Sequence, residues 1–248
     1  MSSITVDVAD GVGHIVLSRP KHANAFDLPM ARELGEAISR MEKDDVRVVL
    51  LTADGPRFCA GGDVSSFLAG EDPEAYLLEL ATVLEEHVRR LSLLPKPVVA
   101  AVQGVAAGAG LAFVLAADLV VAVPSTKFTM AYANIGLTPD CGVAYLLPRV
   151  VGLRRALSFT LERRVINAPE AREWGLVSSI DDDPETAANS LAATIAAGPA
   201  TALGEARRLL RSSYDLPRAE HAVAEAETIA SSVTTPEAQE LIRVFTGG

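Results

Sequence analysis

Three short stretches of this 248-residue chain carry residue types whose spacing could do chemistry. The first runs from Lys96 to Ala112, where the apolar segment Pro97-Val98-Val99-Ala100-Ala101-Val102 passes through Gly104, Gly108 and Gly110 into a run of helix formers. A helix that begins there leaves its first N–H groups unpartnered, and its dipole adds partial positive charge where they point. Small side chains then let a ligand oxygen approach the backbone. The second stretch, Arg57-Phe58-Cys59-Ala60-Gly61-Gly62-Asp63, follows another apolar run, Val46 to Leu51, and has the same character. If the two turns sit at neighbouring strand ends, one N–H from each can hold a single oxygen. That is an oxyanion hole built without a metal. The third stretch, Gly136-Leu137-Thr138-Pro139-Asp140-Cys141-Gly142, closes a long loop on an acid. Asp140 suits either proton transfer or the N-cap of the helix that follows.

Other polar groups are read more plainly. His14 is a strand residue, and His14, His22, His87 and His221 form no ligand spacing, so neither a metal nor a cofactor is expected. Cys59 and Cys141 lie in glycine-containing turns and read as free thiols of a reducing cytoplasm, with Cys59 supporting its turn. Lys21 and His22 occupy a loop, where they are either solvated or placed near a ligand phosphate.

Composition narrows the function classes. A net charge of −10 opposes general nucleic-acid binding but leaves room for an anionic small ligand held by local donors. No apolar run is long enough to span a bilayer. The first residues lack a basic region and an apolar core, which predicts no export signal and a cytoplasmic location.

The elements that must position these residues follow from periodicity. Ile4–Val8 and His14–Leu17 read as a hairpin about Gly11. Asp27 caps a helix with Leu28, Ala31, Leu34, Ile38 and Met41 on one face, and a second helix runs from Pro73 to about Leu93. On that helix Glu85/Arg89 and Glu86/Arg90 read as i,i+4 pairs of a solvated face. Residues 64–70 form a segment that could cover a pocket. Strands at 46–52, 97–102, 118–123 and 127–130, alternating with helices, predict an α/β fold with a mainly parallel sheet. Beyond Leu153 the pattern predicts helices at 152–161, 168–174, 185–197, 199–212, 216–232 and 236–244.

Taken together, the chain resembles the crotonase superfamily, the enoyl-CoA hydratase/isomerase group. The resemblance rests on Arg19-Pro20 with Asn24-Ala25-Phe26, on Phe58 to Asp63, on Lys96-Pro97-Val98 through Gly110, on Ile135 to Gly142 with Leu146-Leu147-Pro148-Arg149, and on Ala168 to Ala171 with Trp174 to Val177. It implies a ββα spiral core over residues 1–195 and a C-terminal helical region over 196–248 that makes homotrimers or dimers of trimers. It further implies an acyl-CoA thioester as partner, with coenzyme A as part of the substrate. The thioester oxygen would be held by the backbone N–H groups of Ala60 and Ala109, or Gly108. Lys21, Ala23, Gly61, Gly62, Asp63, Val64, Gly108 and Tyr132 would line the substrate, with Asp63 fixing its loop and Tyr132 forming pocket wall.

Departures from the family pattern select among its reactions. Family hydratases use two glutamates on water, and the matching positions here hold Ala112 and Tyr132. The remaining acid, Asp140, stands in a segment that resembles the double-bond-shifting subgroup and the ring-opened 1,2-epoxyphenylacetyl-CoA isomerases of phenylacetate breakdown. One carboxylate suffices to move a double bond through an enolate, so isomerisation with Asp140 as proton shuttle leads. Hydration, a dehalogenase-like attack by Asp140 on an aryl acyl group and silent acyl-CoA binding are the alternatives. Near the C-terminus, only Arg243 and Phe245 stand where family members carry a lysine and a phenylalanine that touch the adenine.

Overall fold

The computed structural model describes residues 2–247. The chain opens with an antiparallel hairpin, β1 (Ile4–Ala9) and β2 (Val12–Leu17), in which Ile4 faces Leu17. Asp10 and Gly11, both at positive φ, supply the two-residue turn that such a hairpin requires. Helix α1 (Leu28–Met41) follows, its first turn capped by Asp27, whose carboxylate accepts from the Met30 amide at 3.0 Å. Strand β3 (Val48–Ala53) leads through a loop to the short α2 (Val64–Phe67) and the long α3 (Pro73–Leu93). Next come β4 (Val98–Val102), β5 (Val105–Ala107), α4 (Ala109–Ala116), β6 (Leu119–Ala122) and β7 (Lys127–Thr129). The remainder is α5 (Val143–Val151), α6 (Leu153–Leu161), β8 (Val165–Asn167), α7 (Ala168–Glu173), β9 (Ser179–Ile180) and helices α8 (Pro184–Ala197), α9 (Ala200–Ser212), α10 (Arg218–Ser232) and α11 (Pro236–Thr246).

A six-stranded sheet runs in the order β1-β2-β3-β4-β6-β9 and is parallel throughout except at the hairpin. A second sheet, β5-β7-β8, stands beside it. The helical crossovers β2-α1-β3, β3-α3-β4 and β4-α4-β6 are what parallel pairing demands. Every residue of β3 and β4 is buried because helices cover both faces. Val49 and Leu51 point into the main core, whereas Val48 and Leu50 point to the other face, where Ala188, Ala192 and Ala196 of α8 meet Val99, Ala101 and Val121. The alanines let α8 lie close on the sheet.

The six helices expected after Leu153 are present, each end within two residues of its expected place. One expectation needs correction. The apolar run at 97–102 does not pass straight through glycines into a helix: at Gly104, with φ +66°, the chain leaves the large sheet and forms β5 in the small one. A Cβ at residue 104 would stand 1.9 Å from the Pro56 carbonyl oxygen, so the bend brings two backbones into contact. Strands of two or three residues such as β5, β8 and β9 carry too little alternation to be read from sequence. His14 is a strand residue, as expected, and its Nε2 lies 2.8 Å from Thr52 Oγ1.

The C-terminal helices join the core through a buried ion cluster. Asp118, between α4 and β6, takes Arg207 Nε at 2.5 Å on one oxygen and Arg211 Nη2 at 2.7 Å on the other, and also accepts from the Val98 amide. Arg207, only 7% exposed, donates further to the carbonyls of Leu91, Ser92 and Leu94 at the end of α3. Beyond this anchor α10 and α11 bury no residue in the single chain and expose Ile229, Val244 and Phe245. Replacing Arg207 by methionine takes one of two guanidinium partners from Asp118 and the Arg207 donor from three buried carbonyls. The expected loss is about 3–5 kcal/mol of stability, measured by urea unfolding.

Candidate active site

The two glycine turns meet, and backbone hydrogen bonds hold them together. Residues 59–63 run as a strip between two neighbours. On one side the Cys59 amide donates to Val105 O at 3.1 Å and Cys59 O accepts from the Ala107 amide at 3.0 Å. On the other, Phe26 N donates to Gly61 O and Asp63 N to Phe26 O, each at 2.8 Å. Side chains would prevent this approach. A Cβ at Gly110 would lie 2.3 Å from Cys59 O, and one at Gly61, whose φ is +105°, would lie 3.0 Å from Ala107 O and 3.4 Å from Ala109 N. The first amides of α4 therefore abut the strip.

Which amides remain available corrects the sequence reading. The N–H of Ala60, expected to hold the ligand oxygen, donates to Ala23 O at 3.0 Å, and that of Gly61 faces Cys59 Sγ at 3.4 Å. Among the described residues the amides of Gly62, Gly108 and Ala109 have no hydrogen-bond acceptor. Ala60 thus ties the Ala23 loop to the strip, and Gly62 offers the open donor two residues further on.

The loop is braced by groups that the sequence pointed to only in part. Asp63, as expected, fixes its own segment: Oδ1 accepts from the Ser65 amide at 3.2 Å and the Ser65 hydroxyl at 2.5 Å, while Oδ2 accepts from Arg19 Nη1 at 2.8 Å. Burial alone would push its pKa up, but the Ser65 and Arg19 hydrogen bonds outweigh that and hold it below the usual carboxylate value. Arg19 also reaches Asp27 at 3.0 Å and the Ala25 carbonyl at 2.8 Å. Asn24, fully buried at φ +54°, accepts from the Arg19 amide and donates to the carbonyls of Asp54 and Arg57. Lys21 and His22 lie exposed on a 3₁₀ turn, Pro20–His22, and Val64 is exposed at the start of α2. Cys59 Sγ is within 3.1 Å of Asn24 O, and burial pushes its thiol up to about 12, so it supports the turn as a neutral group.

Asp140 is not a helix cap. The residue before α5 is Gly142, which has no side chain to cap with, and only the backbone carbonyl of Asp140 receives the Val143 amide, at 3.0 Å. Its side chain instead accepts a hydrogen bond from the Tyr132 hydroxyl at 2.8 Å. Tyr132, expected as mere wall, is thereby a positioning group. Burial first, and the Asp140 charge second, push its phenol up, so it stays protonated and donates. The Tyr132 ring also closes on the turn before α4, with Cζ 3.8 Å from the place a Cβ on Gly108 would occupy. Thus an acid, its donor and the start of α4 are contiguous. Ala112, buried within α4, contributes no proton-transfer group.

The solvated-face reading of α3 fails at two residues. Arg90 pairs with Glu42, just past the end of α1, at 2.7 Å, not with Glu86. Glu85 is half-buried, its Oε2 shut from solvent, and among the described residues it makes no ion pair with Arg89. Its carboxyl lies against the turn after Asp140, for a Cβ at Gly142 would stand 3.0 Å from Oε2. A position that periodicity assigned to the wet side is half-buried, because the turn at Gly142 lies against its carboxyl. Glu85 and Gly142 also line a cavity of about 1060 Å³ bounded by α3, α4, α5 and α9. Among the described residues no three His, Cys, Asp or Glu side chains are grouped to hold a metal, and no helix is long and apolar enough to cross a membrane.

Known proteins share this sequence and fold. The model of the enoyl-CoA hydratase/isomerase family matches residues 7–246. The 1,2-epoxyphenylacetyl-CoA isomerase of Escherichia coli is 40% identical over 220 residues, 86% of this chain and 83% of the relative. A 4-chlorobenzoyl coenzyme A dehalogenase of Arthrobacter is 32% identical over 247 residues, 98% and 90% of the two chains. The crystal structure of an enoyl-CoA hydratase/isomerase from Cupriavidus metallidurans superposes with a TM-score of 0.90 at 32% identity, over 100% of this chain and 94% of that one.

The contact between the turns yields a direct check. Gly110→Ala forces a methyl group onto Cys59 O, so the expected result is a loss of roughly 1–3 kcal/mol in urea unfolding together with weakened ligand binding at the separated amides.

Proposed function

The chain belongs to the enoyl-CoA hydratase/isomerase family, and on that premise we propose that it moves a double bond in an unsaturated acyl-CoA thioester. The thioester oxygen sits between the amides of Gly62 and Ala109, and Asp140 takes the α-proton. The observation that carries this reading is the 2.8 Å hydrogen bond from the Tyr132 hydroxyl to Asp140, made where the Tyr132 ring packs against Gly108 at the head of α4. A carboxylate so held has one fixed donor on Oδ1, and among the described residues its Oδ2 accepts no hydrogen bond. Removing the proton leaves an enolate whose charge falls on the thioester oxygen. Two fixed amide dipoles at a helix start stabilise that charge, each by about 3 kcal/mol.

Hydration by paired glutamates has no second acid at residue 112, which supports isomerisation over it. A second reading has its own support: the dehalogenase relative matches nearly the whole chain, and in such a reaction Asp140 would attack an aryl acyl carbon as nucleophile. Product mass separates the reactions, since isomerisation leaves the mass unchanged, hydration adds water, and displacement releases halide.

Asp140→Asn is expected to lower turnover of a 3-enoyl-CoA by about 10²- to 10⁴-fold with thioester affinity retained; unchanged turnover removes Asp140 from the mechanism. In the same assay Tyr132→Phe, which takes away one donor, should reduce kcat by roughly tenfold and leave KM near its original value.

We also infer self-association through the C-terminal helices, which carry Ile229, Val244 and Phe245 on faces that the single chain leaves open. Light scattering is expected to give three or six times the 26.1 kDa chain mass. A monodisperse monomer overturns this.

A further inference from the structure

Glu85 is the acid that neither the amide turns nor the Asp140–Tyr132 pair employs. It stands in the second half of α3, and its carboxyl is pressed against the turn Asp140-Cys141-Gly142, with Oε2 and Oε1 at 3.0 Å and 3.6 Å from the place of a Cβ on residue 142. Oε2 is closed to solvent and has no hydrogen-bond partner among the described residues. An ionised carboxylate is costly to bury without a donor, and burial of this oxygen disfavours the charged form. The direction agrees: burial raises the pKa of Glu85, the Arg89 charge opposes that, and the nearby Asp140 adds to the rise.

The two carboxyl groups therefore occupy opposed environments. Asp140 receives a hydroxyl donor on one oxygen. Glu85 receives none. Neighbouring acids whose surroundings differ in this way are suited to complementary work, one accepting a proton and the other giving one.

We propose that Glu85 is the second acid of the site, delivering a proton to the γ-carbon of the substrate while Asp140 removes one from the α-carbon. The proposal rests on the isomerase reading above. In the first step the α C–H bond breaks, its proton passes to the Asp140 carboxylate, and its electron pair spreads over the dienolate, whose charge falls on the thioester oxygen. In the second the Glu85 O–H bond breaks, its proton forms the new C–H bond at the γ-carbon, and the dienolate electrons return to restore C=O and leave the double bond at the α,β position. Between turnovers Asp140 gives its proton to water and Glu85 takes one from water, which resets both groups with no net gain or loss of protons.

The test follows the hydrogen rather than the rate alone. A 3-enoyl-CoA deuterated at the α-carbon is turned over in ordinary water by the full-length wild type, and the product is read by mass spectrometry and NMR. Two acids leave no deuterium at the γ-carbon, whereas a single shuttle carries it there; such carriage by the wild type overturns the proposal. Glu85→Gln, which keeps the shape of the protonated acid, is expected to slow isomerisation by about 10²-fold. Its loss of α-deuterium to solvent should stay within about twofold of wild type. Isomerisation at the wild-type rate in that variant likewise overturns it. If the wild type neither exchanges the α-hydrogen nor isomerises the probe, the isomerase reading itself falls and the role of Glu85 falls with it.

Discussion

Contact between two backbones is the constraint on which the rest of this molecule depends. The strip 59–63 must touch the start of α4 closely enough for amides from both to face one space, and no side chain can stand between them. Gly61 and Gly110 meet that condition at the cost of extra freedom in the unfolded chain. The strip therefore needs other restraints, and it has them on both edges: Val105 and Ala107 on one, Phe26 on the other. Ala60, whose amide would be attractive as a ligand donor, is used to hold the Ala23 loop in place.

The bracing extends outward by charge. Arg19 spans Asp27 and Asp63, and so links the cap of α1 to the cap of α2 on either side of the strip. Both acids hold helix amides with the same carboxylates that hold Arg19. A similar economy appears at Asp118, where a single carboxylate joins β4 to two arginines of α9. In each case a buried charge is paired and every oxygen has a donor, the condition under which burial of an ion pair is tolerated.

Much of this is legible in the sequence because its causes are local. The hairpin turn at Gly11, the capping Asp27, and the helical periodicity of the late segments leave marks within a few residues of one another. The two glycine turns are legible as donors for the same reason. Which amide each turn spends internally is not, since Ala60 is claimed by a carbonyl thirty-seven positions earlier in the chain. Tyr132 and Glu85 escape a sequence reading on similar grounds. A phenol eight residues from an acid can be wall or donor, and only the left-handed turns at Ala131 and Cys141 fold the loop so that the two meet. Glu85 falls between the buried Leu84 and the exposed Glu86 on α3, a border position that periodicity leaves undetermined and the nearby turn at Gly142 decides.

The contrast between Glu85 and Asp140 bears on how this region handles charge. The amides at Gly62 and Ala109 are neutral dipoles, and the Arg19 guanidinium is engaged by Asp27 and Asp63. On the proposed reading an enolate between those amides would be stabilised by dipoles, and a second negative charge beside Asp140 would oppose proton removal. Burial disfavours the charged form of Glu85, Arg89 opposes that, and Asp140 adds to it. The fold thus gives a hydroxyl donor to Asp140 and withholds one from the buried oxygen of Glu85.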